Sequence, residues 1–448
     1  MRIALLSYRS KPHVGGQGVY VRHLSRELAA LGHDVEVLSA QPYPELDPGV
    51  RLTKVPSLDL YRDDDPFRTP GLRELLRRRD PVDLLEVATM WAGRFPEPRT
   101  FALRARRLLA ARREADASDV PDVVHDNQTL APGVLALKRA GWPLVTTIHH
   151  PISHDRRVDL AAAPTRKRRA SLRRWYSFVE MQASVARQIG RVVTVSQSSR
   201  ADIVRDFGVD PDDVTVVPLG VEEDVWAPPT EPRTPGRIIA MASADTPMKG
   251  VDVLLRAVAA LRARAAAEGR TQPLELVLVS RPKPGGRTER LLAELDLGDV
   301  VRFVSGISDA ELAALMGSAE IACVPSLYEG FSLPTAEAMS CGTPLIVSRA
   351  GAIPEVVGED GVCADLVPPG DVDALTDALA ALLADPERRA RMGAAGRTRV
   401  LERFCWRAVA RATAAVYAEE IAAAAGPSAP DTIPVPVPVP TTSRAGDR

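Results

Sequence analysis

The order of hydrophobic and polar positions predicts a chain that alternates short buried strands with amphipathic helices. Residues 2–7 form an apolar run, a glycine-rich loop follows, and residues 19–31 have helical spacing before a second apolar run at 35–39. This order is typical of a strand–helix–strand unit with parallel strands. Further strands of the first half are predicted at 123–125, 144–148, 192–195 and 214–217. All are short and mostly apolar, as strands covered on both faces of a parallel sheet usually are.

The second half repeats this pattern, with apolar runs separated by helical segments rich in Ala and Leu. Its predicted strands are 237–242, 274–279, 301–304, 321–324 and 344–347. Between the halves, residues 226–235 contain four prolines in ten residues, which breaks regular structure. We therefore predict an α/β protein of two doubly wound, Rossmann-like domains, 1–225 and 226–410. Ligands bind at the carboxyl ends of such strands, so two facing domains would form a cleft.

Composition and charge narrow the class of protein. The 448 residues are 45% hydrophobic, which is enough for two or three domains with substantial cores. The formal net charge of −1 gives no overall attraction to nucleic acid or membranes. The N-terminal apolar run is too short for a signal peptide, and no stretch reaches the roughly 18 apolar residues of a membrane span. We therefore expect a cytoplasmic protein.

Two further features of the chain bear on its chemistry. The four cysteines lack Cys-x-x-Cys spacing, which favours buried reduced thiols over a zinc site or disulfides. Asp63 with Asp65 and Asp210 with Asp212 lie in polar loops, where solvated turns explain them better than a metal site. Residues 427–448 alternate proline and valine near their middle and predict a flexible tail.

Residues 325–344 carry the strongest chemical signal. An apolar strand at 321–324 runs into a loop with Gly330, and a helix begins near residue 333. Glycine permits close approach of a ligand, and unpaired amides at a helix N-terminus favour an anion such as a phosphate. These amides are those of Phe331, Ser332 and Leu333. Glu329 and Glu337 flank this site, where they could accept hydrogen bonds from sugar hydroxyls; the alternative is a loop charge and an exposed helix residue.

This whole segment resembles the donor-binding signature of the retaining glycosyltransferases of family 4 (glycosyl transferases group 1), which have the GT-B fold. The resemblance covers nearly all of residues 1–425 and includes a terminal helix at 411–426 that crosses back to the first domain. It implies that Glu337 binds the donor ribose and Glu329 the sugar hydroxyls. Lys249, followed by Gly250 and a predicted helix at 251–261, would hold the nucleotide diphosphate.

The first half contains candidates for the opposite wall of the cleft. The glycine loop 14–19 is not a G-x-G-x-x-G match, so an NAD enzyme is the weakest alternative; instead it resembles the family loop in which Gly15 and Gly16 line the cleft. A strand ends at Thr146-Thr147-Ile148-His149-His150, similar to the family's Thr-x-His, which implies that His149 faces the donor sugar. The acceptor side is assigned to Gly15, Gln17, His125, Asn127 and His150, with His150 also an alternative to His149.

One position departs from the family pattern. Relatives usually carry Gly-Arg five or six residues before the lysine, which supplies a second cation to the diphosphate, whereas this chain reads Met241-Ala-Ser-Ala-Asp245. Arg281 or Lys283, after the next strand, could supply the missing charge.

A basic stretch lies at 166–178, with six cations beside three aromatic residues in a predicted helix. One interpretation is a solvated helix face with Trp175, Phe178 and Val179 packed inward. The other is a docking surface for an anionic membrane or a lipid-linked acceptor. The arginines between residues 104 and 113 could extend this surface or belong to another helix.

Together these observations predict a retaining, metal-independent glycosyltransferase without a cofactor, which moves a hexose from a UDP or GDP sugar to an unidentified hydroxyl. Nucleic acid is not expected as a partner, and peripheral contact with the inner membrane face is a further expectation. The alternatives are a nucleotide-sugar epimerase or sugar phosphorylase of the same fold, and a non-catalytic nucleotide-sugar-binding protein.

Overall fold

The computed structural model describes residues 1–10, 16–60, 69–78, 80–269 and 273–425. Gly15, Asp63, Asp65 and the predicted tail at 427–448 lie outside these ranges. The described residues form two parallel sheets, one in each half of the chain, with helices on both faces of each. This confirms the prediction of an α/β protein with two doubly wound sheets.

The first sheet has seven strands in the order β3-β2-β1-β4-β5-β6-β7, all parallel. Its strands are β1 (Arg2–Ser7), β2 (Asp34–Ser39), β3 (Arg51–Lys54), β4 (Val123–Asn127), β5 (Leu144–Ile148), β6 (Val192–Thr194) and β7 (Val214–Val216). Its helices are α1 (Gly16–Ala30), α2 (Leu72–Arg78), α3 (Pro81–Trp91), α4 (Glu97–Ala115), α5 (Pro132–Arg139), α6 (Ser153–Ala162), α7 (Arg166–Trp175), α8 (Ser177–Ile189) and α9 (Gln197–Phe207).

The second sheet has six strands in the order β10-β9-β8-β11-β12-β13. Its strands are β8 (Thr234–Met241), β9 (Glu275–Val279), β10 (Val301–Val304), β11 (Ala319–Val324), β12 (Leu345–Ser348) and β13 (Asp365–Val367). Its helices are α10 (Val251–Ala267), α11 (Arg287–Glu294), α12 (Asp309–Gly317), α13 (Leu333–Ser340), α14 (Ile353–Val357), α15 (Val372–Ala384), α16 (Pro386–Arg403) and α17 (Trp406–Ala425).

Two strands were not predicted from the sequence. β3 is an edge strand with the polar sequence RLTK, and none of its four residues is buried. β13 has only three residues and is the edge of the second sheet. Both lack the run of apolar residues that reveals a central strand, because an edge strand has a neighbour on one side only.

The strand orders set the position of the site. In the first sheet the order reverses between β1 and β4, and in the second sheet it reverses between β8 and β11. Ligands of doubly wound sheets bind in the crevice that opens at such a switch point, beyond the carboxyl ends of the strands. The loops after these four strands are therefore where functional residues are expected.

The last helix links the two halves. α17 packs against α1 and reaches β4 and β5 of the first sheet, although it follows all strands of the second sheet in sequence. Its Tyr417 is fully buried and forms a 2.5 Å hydrogen bond through its hydroxyl to Nδ1 of His125 in β4. The Val221 amide donates to the Phe404 carbonyl at 2.7 Å, which joins the segment after β7 to the chain just before α17.

Candidate active site

Lys249 and Glu329 lie after the two strands that flank the switch point of the second sheet. Lys249 ends a short 3₁₀ turn, Pro247–Lys249, and is followed by Gly250 with φ +63°. A Cβ on Gly250 would lie 2.0 Å from the Pro325 carbonyl oxygen, so no other residue fits there without a shift of the backbone. This close approach brings the lysine turn against the loop after β11.

The side chains of Lys249 and Glu329 form an ion pair. Lys249 Nζ is 2.7 Å from Glu329 Oε1, and the Ser326 hydroxyl donates to the same oxygen at 2.7 Å. The backbone carbonyl of Glu329 accepts from the Ala352 amide at 2.9 Å. Both side chain and backbone of Glu329 are therefore fixed, with a cation beside its carboxylate.

The start of α13 presents backbone donors next to this pair. Ser332 is the N-cap residue and has φ 85°, a left-handed conformation that is strained for a residue with a side chain. Pro334, the second residue of the helix, has no amide hydrogen. In the described part of the chain, no protein acceptor pairs with the amides of Phe331, Ser332 and Leu333. These donors and the helix dipole favour an anion at this point.

Glu337 lines a cavity of about 260 Å³ between the two halves of the molecule. Its Oε2 atom is buried and has no hydrogen-bond partner among the described residues. Burial, with a smaller contribution from the charge of Asp309, raises the pKa of the Glu337 carboxyl to about 8. Glu337 is thus not the exposed helix residue that was the alternative interpretation. The cavity is lined by residues of α1, α12, α13, α17 and the chain between β7 and β8.

His149 follows β5 on the opposite wall. Its Nε2 is 2.9 Å from Asn127 Oδ1, its amide donates to Gln128 Oε1 at 2.8 Å, and its ring makes an edge contact with Tyr20. Burial, with smaller contributions from His150 and His125, lowers the pKa of His149 to about 3. The imidazole is therefore neutral at physiological pH and offers one donor and one acceptor nitrogen.

Three residues assigned to the acceptor side have side-chain partners within the protein. His125 is fully buried and its nitrogens are occupied by the hydroxyls of Tyr417 and Thr147, so it supports the fold and has no free nitrogen for an acceptor. Asn127 is also buried and its carbonyl oxygen contacts His149, which makes it a support for that ring. The His150 ring is half-exposed and pairs with Asp155 at 3.3 Å, away from the Asn127–His149 pair.

The glycine loop is described only in part. Gly16 is the first residue of α1, and Gln17 is partly buried on the first turn of the same helix. The Gln17 side chain hydrogen bonds to Tyr8, which follows β1, so this turn lies at the switch point of the first sheet. Gly15 lies outside the described residues.

The structure adds a group of contacts between the halves that the sequence did not indicate. The Glu355 carboxylate accepts from the amides of Gln197 and Ser198, both at 2.7 Å, at the N-terminus of α9. The hydroxyls of Ser196 and Ser199 donate to the Gly330 carbonyl at 2.7 and 3.1 Å. The sequence indicates that Ser196 could cap a helix, but it does not indicate the hydrogen bond to Gly330, which is 134 residues away.

Gly330 is the point of closest approach in this group. A Cβ there would lie 3.3 Å from both the His150 Cβ and the Ser199 hydroxyl, which is tighter than ordinary contact. The loop that carries Glu329 therefore packs directly on the wall that carries His149.

Arg281 lies in the loop after β9, the neighbour of β8. The register pairs Met241 with Val279, so its continuation places Arg281 opposite Ser243, an exposed residue six positions before Lys249. The Ala244 amide donates to Ser280 Oγ at 2.8 Å, which continues the pairing beyond the strands. Asp245 accepts from the amides of Lys283 and Thr288 and holds this loop in place. Arg281 is exposed and forms no ion pair within the described ranges.

This chain belongs to the family-4 glycosyltransferases with the GT-B fold. The family model "Glycosyltransferase Family 4" matches residues 14–225, and "Glycosyl transferases group 1" matches residues 223–399. The chain is 58% identical over 423 residues to MMP alpha-(1->4)-mannosyltransferase of Mycolicibacterium hassiacum, a match that covers 94% of this chain and 99% of the relative. It is thus a glycosyltransferase with a close mannosyltransferase relative.

Other similar proteins are more distant in sequence and carry names with other substrates. Glycogen synthase of Mycobacterium tuberculosis is 31% identical over 428 residues, covering 93% of this chain and 94% of that protein. Among solved structures, sucrose-phosphate synthase of Thermosynechococcus elongatus superposes with a TM-score of 0.66 at 23% identity, covering 94% of this chain and 99% of that one. HepE of Anabaena, in complex with UDP and glucose, has a TM-score of 0.64 at 16% identity, covering 93% and 99%. These two structures establish the fold.

Proposed function

We propose that this protein is a retaining α-mannosyltransferase. It transfers a mannosyl residue from a nucleoside-diphosphate mannose, of the GDP or UDP type, to the 4-hydroxyl of a sugar acceptor. The 58% identity to an alpha-(1->4)-mannosyltransferase over almost the full length of both chains supports the sugar and the linkage. An α product from an α-linked nucleotide sugar means retention of configuration.

The observation that carries this proposal is the unpartnered carboxylate of Glu337. A buried carboxyl oxygen without a hydrogen bond is costly, and the cavity beside it has room for the nucleoside part of a donor. Ribose hydroxyls would donate to this oxygen and remove the cost. A polyhydroxylated ligand would thus stabilise this buried carboxyl oxygen when it binds.

The remaining residues have roles that follow from their chemistry. Glu329, held by Ser326 and Lys249, accepts hydrogen bonds from hydroxyls of the mannosyl group. The Lys249 ammonium and the amides at the start of α13 bind the diphosphate, whose negative charge grows as the bond to the anomeric carbon breaks. Stabilisation of this leaving group supplies most of the rate. Neutral His149 offers a hydrogen bond to the sugar from the opposite wall.

The acceptor attacks the face of the sugar from which the diphosphate departs. The acceptor oxygen forms the new bond to the anomeric carbon, and its proton passes to an oxygen of the leaving diphosphate. No side chain acts as covalent nucleophile or separate general base in this scheme. No resident metal or cofactor is part of the scheme.

Arg281 completes the diphosphate site in place of the family's missing arginine. Its position opposite Ser243, one strand away, and its freedom from any ion pair within the described ranges support this role. Lys283 is the less favoured alternative, because its backbone is held against Asp245, two residues further along the loop.

The proposal is tested by incubating the purified protein with GDP-mannose, UDP-mannose, UDP-glucose, GDP-glucose and ADP-glucose, with and without mannose and glucose oligosaccharides. We expect slow hydrolysis of one mannose donor alone and faster turnover with an acceptor, with an α-(1→4) linkage in the product by NMR. Preferred transfer of glucose would instead support a role like that of glycogen synthase.

Glu329→Ala separates an enzyme from a binding protein. We expect this variant to retain donor affinity within a few-fold, measured by calorimetry, and to lose turnover. An absence of turnover in the wild-type protein with every donor, together with donor binding, would favour the non-catalytic alternative. A free 2-epimer of the donor sugar among the products would favour an epimerase.

A further inference from the structure

Helix α3 buries two carboxylates beside Val82 and Val87, and it exposes apolar side chains to solvent. Its buried face carries Asp83 and Glu86, each paired with the buried Arg104 of α4 at 2.6 Å. Its exposed face carries Leu84 and Trp91, which are 48% and 71% exposed. The other exposed positions of the helix are Pro81 and Ala88, so the solvent-facing stripe contains no charged side chain.

This stripe has helical spacing and is unusual in its size. Residues 81, 84, 88 and 91 lie three or four positions apart and so occupy one face of the helix. Trp91 is the largest exposed apolar side chain among the described residues. Leu84 lies about two helical turns before it on the same face. A contiguous apolar surface of this kind marks a contact with a partner or with a lipid surface.

A strongly basic helix adjoins the stripe. α7 exposes six cationic side chains that form no ion pair with any carboxylate in the described part of the chain: Arg166, Lys167, Arg168, Arg169, Arg173 and Arg174. Its inner face packs through Leu172, and Trp175 contacts the ring of Phe95 at 5.4 Å between centroids. The two interpretations of residues 166–178 are therefore compatible, since the aromatic residues pack inward and the cations remain exposed.

The two helices meet at their carboxyl ends. The Nε atom of Arg174 lies 3.6 Å from the position that a Cβ would take on Gly93, two residues after Trp91. In α4, Arg107 pairs with Asp80 and Arg112 with Glu36, whereas Arg99 and Arg106 are exposed and have no ion pair within the described residues. Helix α7 thus places six cations, none with an ion pair among the described residues, beside the apolar stripe of α3.

We propose that α3 and α7 form a docking surface for a bilayer that contains anionic lipid. The cations of α7 attract the headgroups, at roughly 1 kcal/mol or about fivefold in affinity for each basic residue near the surface. Trp91 and Leu84 insert at the level of the headgroups, where an indole ring is favourable. Among the described residues, no helix is long and apolar enough to cross a membrane, so the contact is peripheral.

Other partners fit this surface less well. Two copies related by a two-fold axis through this face would bring the cations of one α7 close to those of the other, which is unfavourable. A soluble polyanion would use the cations but leave the apolar stripe of α3 in water. Only a surface that is both anionic and apolar can interact with the cations of α7 and also cover the apolar stripe of α3.

The test is flotation with vesicles of phosphatidylcholine alone and with about one-third phosphatidylglycerol. We expect binding to the anionic vesicles at 50 mM salt, little binding to neutral vesicles, and loss of binding at 0.5 M salt. The triple variant Arg166→Gln/Lys167→Gln/Arg169→Gln should weaken partitioning about a hundredfold, at about fivefold per charge. Trp91→Ser should weaken it about tenfold or more.

Matched controls distinguish docking through this surface from nonspecific binding to vesicles. Leu401→Ser removes an apolar residue of α16 that is as exposed as Leu84, and Arg391→Gln removes an exposed cation of the same helix; neither should change vesicle binding. Wild-type fluorescence should be quenched by brominated lipid, and Trp91→Phe should lose that quenching, because the other four tryptophans are buried or half-buried.

The proposal is overturned if the wild-type protein fails to float with anionic vesicles at low salt, or if Trp91→Ser binds as well as wild type. It is also overturned if light scattering shows a dimer that Trp91→Ser dissociates, because the stripe would then be an interface between two copies. Turnover with soluble donor and acceptor should be equal in wild type and both surface variants, which distinguishes a docking defect from misfolding.

Discussion

At the scale of single residues, the site combines two carboxylates in opposite environments. Glu329 has a lysine and a serine as hydrogen-bond donors, whereas Glu337 has an oxygen without any partner in the described part of the chain. Burial raises the pKa of the Glu337 carboxyl to about 8 and so favours its neutral form. The two glutamates lie within nine positions of each other in the sequence. Their different hydrogen bonding is therefore due to the residues that surround each of them in the folded protein.

Glu337→Gln should weaken donor binding and stabilise the empty protein at alkaline pH. A hydrogen bond from ribose to this mostly neutral carboxyl contributes about 0.5–1.5 kcal/mol, so the donor KM should rise roughly two- to tenfold. Because the folded-state pKa is raised to about 8, the contribution of this group to stability is present below pH 4.5 and is lost as pH rises through 8. Thermal unfolding at pH 5 and pH 9 should therefore show a gain for the variant only at pH 9.

The control for this variant is Glu402→Gln, which changes an exposed carboxylate near the end of α16. It should leave both donor KM and melting temperature unchanged. An unaltered KM in Glu337→Gln would contradict the assignment of this carboxylate to the donor.

Arg281→Ala should lower kcat/KM about tenfold or more, because in the proposed site it removes one of the two cations beside the leaving diphosphate. Lys283→Ala is the matched control and should have a smaller effect. The decisive variant is Ser243→Arg combined with Arg281→Ala, which returns the cation to the family position. Recovery of donor turnover in this double variant supports the replacement; equal activity of Arg281→Ala and wild type contradicts it.

At the scale of elements, the N-terminus of α9 is a contact between the two halves. Its first two amides donate to Glu355 of α14, and the hydroxyl of its cap residue, Ser196, donates to the carbonyl of Gly330. A carboxylate at a helix N-terminus is stabilised by the amides and by the helix dipole. The loop with Glu329 and the wall with His149 are therefore held together by hydrogen bonds at the N-terminus of α9.

Glu355→Gln should reduce turnover by loosening this contact while the folds of both halves persist. The variant keeps the shape of the side chain but loses the charge at the helix end, an interaction of about 0.3–1 kcal/mol, and one acceptor. We expect kcat to fall several-fold and the radius of gyration from solution scattering to increase. Glu359→Gln, an exposed carboxylate just after α14, is the control; identical scattering and kcat in the two variants would argue against a role in closure.

At the scale of the whole molecule, α17 joins the last residues of the described chain to the first sheet. The hydrogen bond between Tyr417 and His125 spans 292 residues of sequence and is completely buried. The other nitrogen of His125 bonds to Thr147 of β5, which also contacts Tyr20 of α1. This buried network connects the terminal helix to two strands and a helix that lead to the cleft.

Tyr417→Phe should destabilise the protein by about 1–3 kcal/mol, because it leaves the buried Nδ1 of His125 without a partner. Burial lowers the pKa of His125 to about 3, so the ring stays neutral and cannot compensate by gaining charge. Denaturant unfolding should show a lower midpoint. Thr413→Val, on the same helix, is the control: its hydroxyl bonds only within the helix, to the Val409 carbonyl, and the midpoint should change less.

Much of the fold could be predicted from the sequence, because central strands of a doubly wound sheet are continuous runs of apolar residues. β1, β5 and β10 were predicted with their observed ends, whereas the edge strands β3 and β13 lack that signal. Site residues next to such strands, such as Lys249 and Glu329, were predicted because strand ends and glycines mark the loops. His125 was expected on the acceptor side, but its two ring nitrogens bond to hydroxyls in the core, and one of these belongs to a tyrosine from the far end of the chain, which the sequence does not reveal.

The sequence by itself determined the class of fold, the glycosyltransferase family and the positions of both glutamates, because these depend on local patterns of apolar residues and on a contiguous motif. Only the tertiary structure decided that Glu337 lacks a partner, that Arg281 lies opposite Ser243, and that α3 turns its apolar face to solvent beside α7. Each of these is set by contacts between segments far apart in the chain. The physical reason is that burial and charge pairing are properties of the packed molecule, and no single segment contains them.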